Sequence, residues 1–356
     1  MNIKPRLTPA EVFPVGEFLR DELEERGWSD SEFAQILGRP AQVISEIING
    51  KKEITAETAV AIADALGTSP EYWLNLQIAF RLREIRSSRP TNNSVIRLAR
   101  LRDRVPLREL RKRGWISDTD DLDVLEAEVS NLLRPLEAAD FAAAARKTDA
   151  DRPFTPEQRA WLARVLQVAS TRTVLSFDNA ALRSLATELR TVRPDDLATL
   201  RKRFALCGVS LVIEPQLAGS RLDGAAMRPT TDNAIIGLTT RGDRFDIFIW
   251  TLLHETAHLL LGHVDVQSVR IDEELGSTER VGQELEADTL AEQLLFPGGF
   301  RLPPPPYSMG KIVTAASNHG VHFSSVLGRL HHDGVVSAAH LRRSIPRVRS
   351  FLEVAE

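Results

Sequence analysis

Residues 29–50 have the sequence SDSEFAQILGRPAQVISEIING, which predicts two short helices joined by a tight turn. Ser29 stands three residues before Glu32, and this spacing is typical of a capping box at a helix start. Gly38 can adopt the left-handed backbone conformation that ends the first helix, and Pro40 suits the first turn of the second.

The small and apolar residues of this stretch have the spacing of a helix-turn-helix. Such a unit needs a small residue where the helices touch, a glycine in the turn and apolar anchors behind the second helix. The residues that meet these requirements are Ala34, Gly38, Ile44 and Ile47. Helical periodicity also extends over residues 16–26 and 55–66, and Ser69 precedes another helix. The sequence therefore predicts a five-helix domain over residues 1–80.

Polar side chains at the start of the second helix suit DNA recognition. Arginine and glutamine can make paired hydrogen bonds to base edges, and lysines suit phosphates. The expected contact residues are Arg39, Gln42, Ser45, Lys51 and Lys52. The alternative is a five-helix bundle that binds a protein. This alternative is favoured by Glu46 and by the 7 basic against 13 acidic residues of positions 1–80.

The segment also resembles the HigA-type antitoxin branch of the XRE/lambda-repressor-like helix-turn-helix family. The resemblance rests on PVGEFLRDELEERGWSDSEFAQILGRPAQVISEIINGKKEITAETA and the following ALGTSPEYWLNLQ, within residues 10–80. It implies binding to operator DNA, commonly as a homodimer.

Residues 81–117 form a predicted basic linker arm, because positions 81–113 hold 12 basic and 3 acidic residues. One interpretation is contact with DNA phosphates, and the other is an amphipathic helix pair whose charges face the acidic first domain. The arginines concerned are Arg97, Arg100, Arg102, Arg104, Arg108, Arg111 and Arg113. Residues 118–200 have helical periodicity alone, which predicts a helical middle region of core and spacer without a catalytic cluster.

The chemistry is predicted to lie beyond residue 200. The segments 208–215 and 233–249 are short and β-branched, which predicts strands. An apolar helix then contains the HExxH sequence of residues 254–258. His254 and His258 lie one turn apart on one helix face, so both imidazoles can bind the same Zn²⁺, and Glu255 can reach a metal-bound water as general base. The alternative is a pair of buried helix histidines whose ring nitrogens make hydrogen bonds and bind no metal.

Catalytic zinc needs a third protein ligand. Glu284 and Asp288 are four residues apart and share one face of a predicted helix, whereas Glu286 points elsewhere. We expect Glu284 to bind zinc and Asp288 to hydrogen-bond a ligating histidine. The alternative is a solvated acidic helix start. His263 is interpreted as a partner of the helix C-terminus.

This region resembles the ImmA/IrrE family of zinc metallopeptidases, over about residues 208–300. The resemblance rests on GSRLDGAAM, TLLHETAHLLLGH and ELEADTLAEQLLFP. It implies a zincin-like α+β domain with zinc on His254, His258 and Glu284, and with Glu255 as general base. The order of the two domains matches bacterial proteins in which an XRE-type domain precedes an ImmA/IrrE domain. The resemblance implies regulation through a protein substrate such as a repressor or a toxin-antitoxin partner.

Composition limits the class of protein. The chain has 356 residues, of which 43% are hydrophobic and 26% charged, with a net charge of −4. These values, the absence of a signal peptide and the absence of an 18-residue apolar run predict a soluble cytoplasmic protein. The single cysteine, Cys207, excludes an intramolecular disulfide and cysteine-rich zinc clusters.

The sequence as a whole predicts a multidomain, mainly α-helical chain. Its parts are a five-helix DNA-binding domain (1–80), a basic arm (81–117), a helical middle region (118–200), an α+β zincin-like domain with a small sheet (201–300) and a small helical extension (301–356). The leading hypothesis is a DNA-binding regulator with a narrowly specific zinc endopeptidase. Two alternatives remain: an autorepressor or antitoxin whose zincin domain senses or binds without turnover, and a peptidase whose N-terminal bundle is only a docking module.

Overall fold

The computed structural model describes residues 12–88, 94–137, 154–266, 268–273 and 282–352. The chain divides between Ser94 and Val95 into two compact units. Within these described ranges, no helix is both long and apolar enough to span a bilayer.

The first unit contains the five predicted helices. They are α1 (Val15–Arg26), α2 (Asp30–Ile36), α3 (Ala41–Ile48), α4 (Ala56–Leu66) and α5 (Pro70–Ser88). The Ser29–Glu32 capping box is present at the start of α2, and Thr55 caps α4. Gly27 and Gly67 end α1 and α4 in the left-handed conformation, so the predicted helix boundaries are confirmed.

The core of the first unit fixes how α2 and α3 meet. Ala34, Ile44 and Ile47 are buried as the helix-turn-helix spacing predicts, and Gly38 has a φ of 61° in the turn. Gly16 of α1 lies against the end of α3, because a Cβ there would stand 2.2 Å from the carbonyl oxygen of Ile48. Glycine is therefore required at this helix crossing.

The second unit combines helices with a four-stranded sheet. Its helices are α6 (Ser94–Arg104), which begins at the division, α7 (Leu107–Lys112), α8 (Leu122–Glu137), α9 (Pro156–Ser170), α10 (Asn179–Leu189), α11 (Leu197–Ala205), α12 (Phe245–Leu261), α13 (Gln283–Leu295), α14 (Met309–His319), α15 (Phe323–His332) and α16 (Arg349–Leu352). Its strands are β1 (Val209–Ile213), β2 (Leu222–Arg228), β3 (Ala234–Leu238) and β4 (Ser268–Glu273). The strand order is β1-β3-β2-β4, in which β1 pairs parallel with β3 and β2 pairs antiparallel with both neighbours.

Helices cover both faces of the sheet. Ala225 and Met227 of β2 belong to a core shared with Trp161 of α9, whereas the intervening Ala226 belongs to a second core with Phe248 of α12. This alternation follows from the two-residue repeat of a strand. The helical prediction for residues 118–200 is confirmed where they are described, since α8 and α9 form one of the two covering layers.

The strand prediction for residues 233–249 is wrong in its second half. β3 ends at Leu238, and Phe245 already begins α12. The run FDIFI is short and apolar, and such a run fits a buried strand and a buried helix equally well. The strand β2 was not foreseen, because its Gly224, Ala225 and Ala226 have low β propensity.

Residues 94–113 form two helices of the second unit, whereas the sequence predicts a linker arm for this stretch. Leu101, Val105 and Leu110 are buried in the second unit, so α6 and α7 belong to its core. Several arginines of the basic stretch pair with acids of the same unit: Arg97 with Asp123 and Glu126, Arg104 with Glu137, Arg111 with Asp118, and Arg113 with Glu109. These arginines neutralise nearby carboxylates within their own unit.

Candidate metal centre and helix-turn-helix surface

The HExxH residues lie in the buried middle of α12. His254, Glu255 and His258 are at most 1% exposed, and Gly262 ends the helix in the left-handed conformation. Glu284 stands in the first turn of α13, which packs along α12. The helix predicted to carry Glu284 and Asp288 is confirmed, since α13 spans Gln283–Leu295.

Three predicted ligands converge on one point. The Nε2 atoms of His254 and His258 are 3.0 Å apart, and the Glu284 carboxylate oxygens lie 3.3 Å and 3.5 Å from them, respectively. In a tetrahedral site with bonds of about 2.0–2.1 Å, ligand atoms are separated by about 3.3 Å. The separations in this cluster therefore fit a zinc ion.

The protonation of the cluster also fits a cation. Burial lowers the pKa of His258 to about 4, so its ring is neutral near pH 7. Burial opposes ionisation of Glu284, but hydrogen bonds with the side chains around it outweigh this effect and hold its pKa well below the usual range. A neutral imidazole and a carboxylate are donor groups that zinc accepts.

Asp288 orients the first histidine. Its Oδ1 lies 2.9 Å from Nδ1 of His254, so the carboxylate accepts the Nδ1–H and leaves Nε2 as a lone pair. This is the arrangement that the spacing of Glu284 and Asp288 predicts, and it matches the way carboxylates support metal-binding histidines.

Glu255 lies directly against strand β2. A Cβ at Gly224 would stand 2.5 Å from Oε1 of Glu255 and 2.9 Å from Cγ2 of Thr251. The strand has a register shift between Leu222 and Gly224 opposite β4, which places Asp223 in a bulge. The bulge and the glycine together allow the strand to approach the predicted general base without displacing it.

Three further groups lie around the cluster that the sequence did not assign to it. Arg270 of β4 donates from Nε to Oε1 of Glu284 at 2.9 Å. Nδ1 of His263 lies 3.1 Å from Nδ1 of His258, and Nε2 of His263 lies 2.9 Å from Oε2 of Glu286. The five-residue spacing from His258 to His263 across a glycine was the available signal, because a left-handed cap turns the chain back onto the helix end.

The predicted DNA-contacting residues lie on and beside α3. Arg39 precedes the helix, Gln42 is exposed in its first turn, and Lys51 and Lys52 are exposed beyond its end. Nε2 of Gln42 donates to the Glu46 carboxylate at 2.9 Å. Ser45 is half-buried on the same helix, and its Oγ accepts from Asn49 at 3.3 Å.

Comparison with known proteins concerns the first unit. Residues 19–73 match the protein family described as helix-turn-helix. An HTH-type transcriptional regulator of Haemophilus influenzae is 38% identical over 82 residues, which cover 23% of this chain and 77% of that protein. Antitoxin HigA-1 of Vibrio cholerae is 39% identical over 83 residues, which cover 23% of this chain and 78% of that protein. The chain belongs to the XRE-type helix-turn-helix family.

Solved structures are also similar to the chain over this family's domain. A putative antidote protein of a plasmid maintenance system from Nostoc punctiforme is 37% identical, with a TM-score of 0.22 and coverage of 22% of this chain and 87% of that one. An addiction module antidote protein of the HigA family from Coxiella burnetii is 33% identical, with a TM-score of 0.20 and coverage of 22% and 95%. The family match and the two relatives above confirm the XRE-type assignment for the N-terminal domain, and the ImmA/IrrE resemblance of residues 208–300 stays a prediction.

Proposed function

We propose that this protein is an operator-binding transcriptional regulator, acting as a homodimer, with an attached zinc endopeptidase of narrow specificity. The DNA-binding part is supported by the XRE-type domain, with Gln42 exposed on α3 and Lys51 and Lys52 exposed beyond its end. The peptidase part is supported by the convergence of His254, His258 and Glu284 beside Glu255. Its substrate would be the chain itself or a partner repressor or toxin-antitoxin component.

DNA recognition would use α3 in the major groove. Gln42 is the exposed residue best suited to a base edge, because its amide can accept and donate hydrogen bonds to adenine. Lys51 and Lys52 would contact phosphates, which contribute affinity without sequence preference. A curated relative is named an antitoxin, and the same domain in this chain would bind the operator of its own gene.

Substitution of Gln42 should weaken binding to the preferred sequence. With a DNA site selected from a randomised pool, we expect Gln42→Ala to cost about 1–3 kcal/mol and to relax specificity at one base pair. Gln35→Ala, an exposed glutamine on α2, is the matched control and should bind as the unaltered protein does. Affinity is measured by fluorescence anisotropy at several salt concentrations. Loss of all binding at physiological salt would instead favour a protein-docking role for the N-terminal domain.

The peptidase would hold zinc through His254, His258 and Glu284. Zinc, when bound, acidifies a water molecule and polarises a substrate carbonyl. Glu255 would take a proton from the attacking water and return it to the leaving amine. Asp288 would keep the His254 ring in the orientation that binding requires.

Zinc content tests the metal site directly. We expect one zinc per chain after purification with zinc present, measured by mass spectrometry of the metal after dialysis. Glu284→Ala should lose the metal because it removes one of three protein ligands. Glu292→Ala, on the same helix but paired with Arg329, is the control and should retain it. A zinc-free unaltered protein would contradict the metal site.

A further inference from the structure

We propose that His263 and Glu286 are positioning residues that fix the tautomer of His258 and so prepare its Nε2 for a metal ion. This inference rests on the proposed zinc site. It concerns residues outside the predicted ligand set, and it assigns a role to a histidine that would otherwise serve only the helix end. His263 follows Gly262 directly, and its side chain is 5% exposed.

Two consecutive hydrogen bonds determine where the protons lie on His263 and His258. The carboxylate of Glu286 is an acceptor, so the neighbouring Nε2 of His263 must donate to it. With Nε2 as the donor of the ring, Nδ1 of His263 is the nitrogen left to accept, through its lone pair. That lone pair faces Nδ1 of His258 at 3.1 Å, and the latter must therefore donate. His258 is left with its own lone pair on Nε2, the atom that faces His254 and Glu284.

The two predicted histidine ligands thus have different support. Asp288 accepts directly from His254, whereas Glu286 acts on His258 through one intervening imidazole. Both arrangements direct an Nε2 lone pair to the same point. Lone pairs separated by 3.0 Å repel each other unless a cation lies between them, so the supports favour a metal-bound state over a metal-free one.

A helix-capping role for His263 makes a different prediction. A cap would use the ring to stabilise the carbonyl groups at the end of α12, and Glu286 would then be unnecessary. The ring geometry does not follow that expectation, because both of its nitrogens face side chains: His258 on one side and Glu286 on the other. The substitution His263→Gln distinguishes support of His258 from helix capping. The amide oxygen of glutamine can accept from His258, and its nitrogen can donate to Glu286.

The test measures zinc affinity by competition with a chelator in the full chain. We expect His263→Phe to weaken zinc binding by about 10–100-fold, the usual effect of removing a group that supports a metal ligand. His263→Gln should recover part of this loss, and Glu286→Gln should weaken binding less than His263→Phe. His332→Phe, an exposed histidine of the same unit, is the matched control and should leave the affinity unchanged.

Nitrogen-15 NMR of the metal-free protein supplies a second readout. We expect the Nδ1–H tautomer at His258 and the Nε2–H tautomer at His263, with the His258 tautomers becoming mixed in His263→Phe. Equal zinc affinity of His263→Phe and the unaltered protein, or an Nε2–H tautomer at His258, would overturn the inference while the zinc site stands. An unaltered protein that binds no zinc would overturn both proposals.

Discussion

Glu255→Gln should reduce peptide-bond cleavage by about 10²–10⁴-fold, because glutamine keeps the size of the side chain but cannot accept the proton of the attacking water. The residue is 1% exposed and lies against Gly224, so an isosteric change is needed to avoid disturbing the packing. Cleavage is measured by electrophoresis and mass spectrometry on the chain itself and on any repressor or toxin encoded beside it.

Two controls make this result specific. The zinc content of Glu255→Gln should equal that of the unaltered protein, because Glu255 is not among the three converging ligands. Glu292→Gln should cleave normally, since Glu292 lies about two turns along α13 from Glu284 and pairs with Arg329. Equal cleavage by Glu255→Gln would refute its role as base. Zinc binding with no fragment from any partner would favour a non-catalytic sensing module.

Trp161→Ala should destabilise the second unit by about 3–5 kcal/mol, the usual cost of removing a buried tryptophan. Its ring is fully buried between α9 and the sheet, so close to β3 that a Cβ at Gly237 would stand 2.9 Å from it. Its Nε1 donates to the carbonyl oxygen of Glu214 at 3.0 Å, and that oxygen would lose this partner.

Scanning calorimetry of the full chain measures this effect. The unfolding transition of the second unit should shift down by about 6 °C or more, given about 2–4 °C per kcal/mol for a unit of this size. Gln167→Ala, an exposed position of the same helix, should change stability by less than about 0.5 kcal/mol. An unshifted transition in Trp161→Ala would show that α9 is a spacer rather than part of the core.

The first unit was predictable because its signals are local. Ser29 with Glu32, and the glycines at positions 27, 38 and 67, act on the backbone within a few residues of themselves. The order and pairing of the strands were not predictable in this way, because β2 pairs with partners far along the chain and contains residues that do not favour strands. The reason for the small residues of β2 is visible only in the structure, where Gly224 lets the strand approach Glu255 of α12.

The candidate site was predictable where helix geometry alone determines position. The four-residue spacing within α12 and within α13 placed His254 with His258, and Glu284 with Asp288. Arg270 could not be assigned from sequence, because it reaches Glu284 from strand β4. Glu286 points away from the ligands, as expected, but the turn at Gly262 returns His263 to meet it.

The positions of the core residues along the chain also determine when each unit can fold during synthesis. Among the described residues, the core of the first unit draws on positions from Val15 to Leu76, so that these core residues are all present once α5 has left the ribosome. The second unit must wait much longer, because its hydrophobic cores draw on helices that precede the sheet and on helices as late as α15. Nascent chains would therefore have a folded helix-turn-helix domain well before the HExxH helix is buried. A chain cut short between the two stages would contain the folded helix-turn-helix domain without the HExxH helix.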